Sequence, residues 1–109
     1  MTHKSLESPV LALIEAMAAE DAEQIRKQFS SKATQAYGAD GQMKSPEETK
    51  RWIESDIIER KGKVSDPDYT VNDNNVIVRG EYSSRGYRNK ADFLFTVEDG
   101  LITSWRMRY

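Results

Sequence analysis

Apolar residues recur first at helical spacing and then at strand spacing along this chain. In "SPVLALIEAMAAED", Val10, Leu13, Ile14 and Met17 fall on one helical stripe. Ser8 reads as its N-cap and Pro9 as its first helical residue, where a missing N–H costs nothing. "DAEQIRKQF" predicts a second helix, with Asp21 as cap, Gln24 closing a capping box, and Ile25 and Phe29 as the apolar pair. "SPEE" opens a third, in which Ser45, Pro46 and Glu48 supply cap, first position and capping box. Trp52, Ile53 and Ile57 are its inward face, and Glu47 with Arg51 and Lys50 with Glu54 are outward pairs one turn apart. Between the second and third helices, "KATQAYGADGQMK" reads as a short strand and a Gly-rich loop.

The second half alternates. "DYTVND", "NVIVRGEYS", "YRNKADFLFTVE" and "LITSWRMRY" are strand-like runs separated by "NDNN", "SSRG" and "EDG" turn signals, an antiparallel meander. A three-residue loop at 98–100, with Gly100 left-handed, sets Val97 opposite Leu101 and Phe93 opposite Trp105. A two-residue loop would pair Phe93 with Arg106 and mix the faces. The same test sets Tyr82 opposite Tyr87, Val78 opposite Ala91 and Val76 opposite Phe93. One face then carries Val76, Val78, Tyr82, Ala91, Phe93, Phe95, Trp105, Met107 and Tyr109. The other carries Arg79, Glu81, Arg88, Lys90, Asp92, Arg106 and Arg108, with Glu81 opposite Arg88 and Asp92 opposite Arg106 as cross-strand ion pairs. Three amphipathic helices over the apolar face of a four-stranded twisted sheet make an α+β fold.

Composition narrows the chemistry. The 109 residues fit one domain, 1–109, with residues 1–7 reading as a mobile tail. Cysteine is absent, which excludes disulfides, thiol catalysis and thiolate metal sites. A net charge of −2, from 16 basic and 18 acidic residues, gives no overall pull toward nucleic acid or an anionic membrane. No apolar run reaches the roughly 20 residues of a membrane span, and "MTHKSLES" lacks the apolar stretch of a secretory signal, so a cytoplasmic location is expected.

The order of parts resembles the nuclear transport factor 2-like superfamily, in its SnoaL-like and ketosteroid-isomerase-like branch. "LIEAMAAEDAEQIRKQFSSKAT" is similar to the family's two-helix entry, and "DFLFTVEDGLITSWRMRY" to its closing hairpin. The resemblance runs from about Val10 to Tyr109. It implies three N-terminal helices on the concave face of a curved, mainly antiparallel sheet, a cystatin-like cone around an apolar pocket. Members include isomerases, cyclases, dehydratases and domains without chemistry, so the fold alone selects no function.

Ketosteroid isomerases combine a carboxylate base with Tyr and protonated Asp donors. Laid on this chain, the helix-one Tyr falls on Leu13, the base on Tyr37, and the strand Asp on Ala91 or, with a one-residue slip, on Asp92. That acid–base set is not matched. A SnoaL-like cyclase would use a pocket Asp or His, and the only histidine, His3, falls in the tail. The candidate catalytic residues are therefore Tyr37, Asp40 and Asp92, each with a structural counterpart: turn chemistry in "AYGADG" and a surface ion pair. The resemblance implies a pocket of Leu13, Met17, Trp52, Tyr82, Phe93, Phe95, Trp105, Met107 and Tyr109, which would otherwise be a filled core. Arg79, Glu81, Arg88, Lys90, Arg106 and Arg108 form a face on which two copies would meet. Without interleaved aromatics that face is no single-strand nucleic-acid platform. Phosphate loops, nucleophile elbows and metal-ligand spacings are missing, so neither metal nor cofactor is expected.

The expectation is a small-molecule-binding domain, forming a homodimer, with an apolar or aromatic ligand. The alternatives are a non-catalytic assembly module with a filled core, and an isomerase or cyclase using a pocket Tyr or Asp.

Overall fold

A computed structural model of the chain describes residues 7–38 and 40–108. His3, most of the expected tail and Tyr109 lie outside the described residues. Helix α1 runs Ser8–Ala18, α2 Ala22–Lys27 and α3 Pro46–Trp52, the last continuing as a π-helical turn, Ile53–Glu59. Strands are β1 Phe29–Tyr37, β2 Lys63–Asn72, β3 Asn75–Ser84, β4 Tyr87–Glu98 and β5 Leu101–Met107.

Local chemistry sets the helix ends. The Asp21 carboxylate accepts from the Gln24 backbone N–H at 3.2 Å. Ser45 Oγ accepts from the Glu48 N–H at 3.1 Å and donates to the Glu48 carboxylate, the two halves of one cap. At α1 the cap is Glu7 rather than Ser8, and no side-chain bond closes it. The two outward pairs expected on the third helix give way to a longer-range one. Glu54 takes a two-point bond from Arg26 of α2, at 2.6 and 2.7 Å.

The strands form one open sheet in the order β1-β5-β4-β3-β2. The four-stranded meander is present, and β1 adds a fifth strand, parallel to β5. Sequence reading left β1 short because "FSSKATQAY" lacks clean alternation; its burial is patchy along an edge strand. The helices and the concave face enclose Val10, Leu13, Met17, Ile25, Ile57, Val76, Val78, Phe93, Phe95, Ile102 and Trp105, all essentially inaccessible.

Two registers differ from expectation. Between β3 and β4, Ser84 pairs with Tyr87 across a tight turn in which Gly86 has φ +77°. Val78 therefore faces Phe93, Val76 faces Phe95, and Gly80 faces Ala91, two residues from the expected alignment. A two-residue shift preserves parity, so the inward face is unchanged. Between β4 and β5, the loop has two residues, not three. Glu98 pairs with Leu101, and Asp99 and Gly100 both have positive φ, +53° and +77°, as a mirror-image hairpin turn requires. Uncorrected, that turn would point Trp105 outward. A bulge at Thr103 inserts one residue, so Phe95 faces Trp105 and Phe93 faces Met107.

The same register corrects the outer ion pairs. Asp92 lies opposite Arg79, and its partners are Arg108 at 2.9 Å and Arg79 at 3.7 Å, not Arg106. Glu81 faces Lys90 instead of Arg88. With Asp68 opposite Arg79, a row Asp68, Arg79, Asp92, Arg108 alternates in sign across β2, β3 and β4 to the residue that follows β5.

Trp105 is packed against Phe95 at 4.9 Å, Trp52 at 5.1 Å and Phe93 at 5.3 Å between ring centroids. It supports the fold rather than walling a cavity. Trp105→Ala is expected to lower unfolding free energy by about 3–5 kcal/mol in a denaturant titration; a loss under about 1 kcal/mol would show that the cluster is not packed as described.

Candidate functional site

Four strands end at the open side of the cone. The ends of β1, β3 and β5 and the start of β4 bring Tyr37, Tyr82, Ser84, Tyr87 and Met107 around a cleft of about 340 Å³. Asp56 of the π-helical turn and Arg60, which follows it, close the cleft. Such turns occur frequently at functional sites, where the wider spacing re-aims side chains.

Tyr37 is the centre of the polar contacts. Its hydroxyl accepts from the Trp52 indole N–H at 2.5 Å and donates toward the Asp56 carboxylate at 3.4 Å. Ser55 Oγ donates to the other oxygen of that carboxylate at 3.0 Å. Beneath the phenol ring, the Lys44 ammonium sits 4.4 Å from the centroid and is held by Gln35 Oε1 at 2.6 Å. The loop beyond Tyr37 is pinned: Arg106 donates to the carbonyls of Gly38 and Gly41 at 2.8 and 3.0 Å. A side chain at Gly41 would fall onto the Tyr37 carbonyl, so only glycine closes this loop.

Tyr82 is buried on the opposite wall, its hydroxyl 3.5 Å from the Asp56 carbonyl. A side chain at Gly62 would strike that phenol, so the glycine lets it lie flat. Burial, reinforced by the negative charge of Asp56, pushes the Tyr82 phenol up to about 12. Tyr37 is raised as well, chiefly by desolvation, with the Trp52 bond opposing and Asp56 adding to it. Both phenols are therefore protonated donors at neutral pH. Asp56 is the oxygen acceptor between them.

The sequence candidates are distributed unevenly. Tyr37, Tyr82 and Met107 line the cleft, and Trp52 reaches it through its N–H. Leu13, Met17, Phe93, Phe95 and Trp105 lie in the packed core and do not line it. Asp40 is exposed on the loop and is not among the lining residues. Asp92 lies on the outer face with Arg108. Sequence reasoning missed Asp56, Arg60 and Tyr87. A signal for Asp56 was present, since it stands four residues after Trp52 and beside Ile57 on the flank of the inward stripe. Among the described residues no three of His, Cys, Asp and Glu converge as metal ligands, and no helix is long and apolar enough to cross a membrane.

The SnoaL-like domain family matches residues 10–105. No curated protein matches the sequence. Among solved structures, an NTF2-like protein of unknown function from Cytophaga hutchinsonii is similar, with TM-score 0.78 and 22% identity over 96% of this chain and 89% of that one. A candidate polyketide cyclase from Sinorhizobium meliloti has TM-score 0.71 and 20% identity over 92% of this chain and 93% of its own. An uncharacterised cystatin-fold protein from Novosphingobium aromaticivorans has TM-score 0.77 and 14% identity over 98% of this chain and 100% of its own.

The electrostatic arrangement has a direct readout. Asp56→Asn removes the charge that opposes phenolate formation, so the Tyr37 and Tyr82 phenols should titrate at lower pH than in the wild type. Ultraviolet titration of tyrosinate absorbance measures this, and identical curves for both proteins would mean that Asp56 does not act on the phenols.

Proposed function

We propose that this chain, which belongs to the SnoaL-like domain family, binds a small organic molecule in the cleft at the open end of its cone. The ligand has an aromatic or apolar body and a carbonyl or hydroxyl oxygen. One observation carries the reading: the Tyr37 hydroxyl is held between the Trp52 N–H and Asp56 on the cleft wall, while Tyr87 and Met107 supply apolar surface beside it. A prealigned donor next to an acceptor fixes the oxygen of a ligand, and the rings bury its body.

Proton transfer is the second reading, and the same pair favours it. Asp56 would take a proton from a carbon beside a carbonyl while Tyr37 donates to the carbonyl oxygen, as an isomerase or cyclase requires. The similarity to the candidate cyclase from Sinorhizobium meliloti is consistent with this chemistry. Two copies are further proposed to meet through the outer sheet face, because a row alternating Asp68, Arg79, Asp92, Arg108 is complementary to its own two-fold copy.

Native mass spectrometry and a titration with 2-naphthol test the binding and the pairing together. A dimer is expected, and naphthol should shift the amide resonances of Tyr37, Tyr87 and Met107. Tyr37→Phe should weaken binding by about three- to tenfold, the worth of one neutral hydrogen bond. Absence of a saturable shift at these amides would overturn the binding reading, and a monomer at micromolar concentration the pairing.

A further inference from the structure

A second cleft, of about 450 Å³, opens between α2, α3 and the first half of β1, lined in part by Phe29, Ala33, Thr49, Lys50 and Ile53. It shares no lining residue with the cleft at the cone mouth. We propose that it is a separate binding site for a small carboxylic acid with a compact apolar body.

The cleft originates in a strand irregularity. Phe29 pairs with Ile102, but the next pair is Thr34 with Ser104, so β1 takes five steps where β5 takes two. Residues 30–33 therefore bow out of the ladder. The bow presents Ser30 and Ser31 to α3, while Phe29 stays stacked on Trp105 at 6.1 Å and anchors the inner end. Ala33 and Ile53, both buried, complete an apolar floor. The volume lies within the range of about 300–1,000 Å³ usual for small-molecule sites.

Thr49 is the second, independent observation. It is 2% exposed, and its hydroxyl has no hydrogen-bond partner among the described residues. A helical threonine ordinarily returns its hydroxyl to the carbonyl one turn back, and a buried hydroxyl without a partner is destabilising. Valine has nearly the same shape without that penalty, so a threonine here is explained by a partner that arrives from outside the chain.

The rim decides the charge of the occupant. Arg26 and Glu54 neutralise each other through their two-point bond. Lys50 has no carboxylate within ion-pair distance among the described residues, which leaves one ammonium beside the opening. A carboxylate fits: one oxygen accepts from Thr49, the other meets Lys50, and the apolar body lies on Phe29, Ala33 and Ile53.

Nitrogen-15 amide spectra of the full chain, titrated with benzoate, test the site. Saturable shifts are expected at Ser31, Ala33, Thr49 and Lys50, with Tyr37 and Tyr87 unmoved. Lys50→Gln, an exposed change that leaves the fold intact, should weaken benzoate about tenfold. Thr49→Val should abolish the shifts and raise the melting temperature. Absence of saturation at concentrations on the order of 10 mM, shifts confined to the cone-mouth cleft, or unaltered binding in both variants would overturn the proposal. Equal affinity for benzyl alcohol would overturn its assignment to an acid.

Discussion

The Trp105 indole must face inward, and much of the fold is arranged to let it. It touches Phe29 of β1, Trp52 of α3 and both phenylalanines of β4, so three elements of the structure meet on one side chain. Its Nε1 finds no partner there. Leaving that N–H unsatisfied costs about 1–3 kcal/mol, whereas removing some 200 Å² of ring from water contributes about 5 kcal/mol. Burial wins by a margin that explains why the hairpin tolerates a bulge. The Asp99 and Gly100 turn alone would aim Trp105 at solvent and Arg106 at the core; Thr103, which also donates to the Thr96 carbonyl at 3.2 Å, absorbs the extra residue and restores the alternation.

That device marks the boundary of what could be read from sequence. Face assignments needed only parity, and Val76, Val78, Tyr82, Ala91, Phe93, Phe95, Trp105 and Met107 are all buried as expected; at the start of β5 the expectation fails, since Ile102, not Leu101, is buried opposite Val97. Register needed more. Parity cannot distinguish two alignments that differ by two residues, so Tyr82 was placed opposite Tyr87 when it faces Asn89. The bulge escaped because a three-residue loop and a two-residue loop plus one inserted residue give the same faces beyond Thr103. Asp92 followed the register: shifting the alignment exchanged Arg106 for Arg108 as its partner. The helix caps at Asp21 and Ser45 were legible because they depend on residues three apart.

The candidate site was legible only in part, for a related reason. Tyr37 was found through its position after the first strand, whereas Asp56 lies in, and Arg60 directly after, a π-helical turn that an α-helical wheel does not describe. Most of the residues expected to line the pocket form the core instead. Phe93, Phe95 and Trp105 are large enough to fill the concavity of a sheet this size, so open volume is displaced outward to the strand ends.

Trp52 connects those two regimes. Its ring stands edge-on to Trp105 at 87°, deep in the packed cluster, while its N–H projects to the Tyr37 hydroxyl. By occupying a lone pair of that hydroxyl, the indole turns the phenolic proton toward Asp56 and the cleft. The orientation of a solvent-facing donor is thus fixed by a side chain that the core holds immobile. A phenol half exposed to water would otherwise rotate freely. The filled interior and the polar mouth are therefore not competing readings of the chain: the packing of the first supplies the preorganisation of the second.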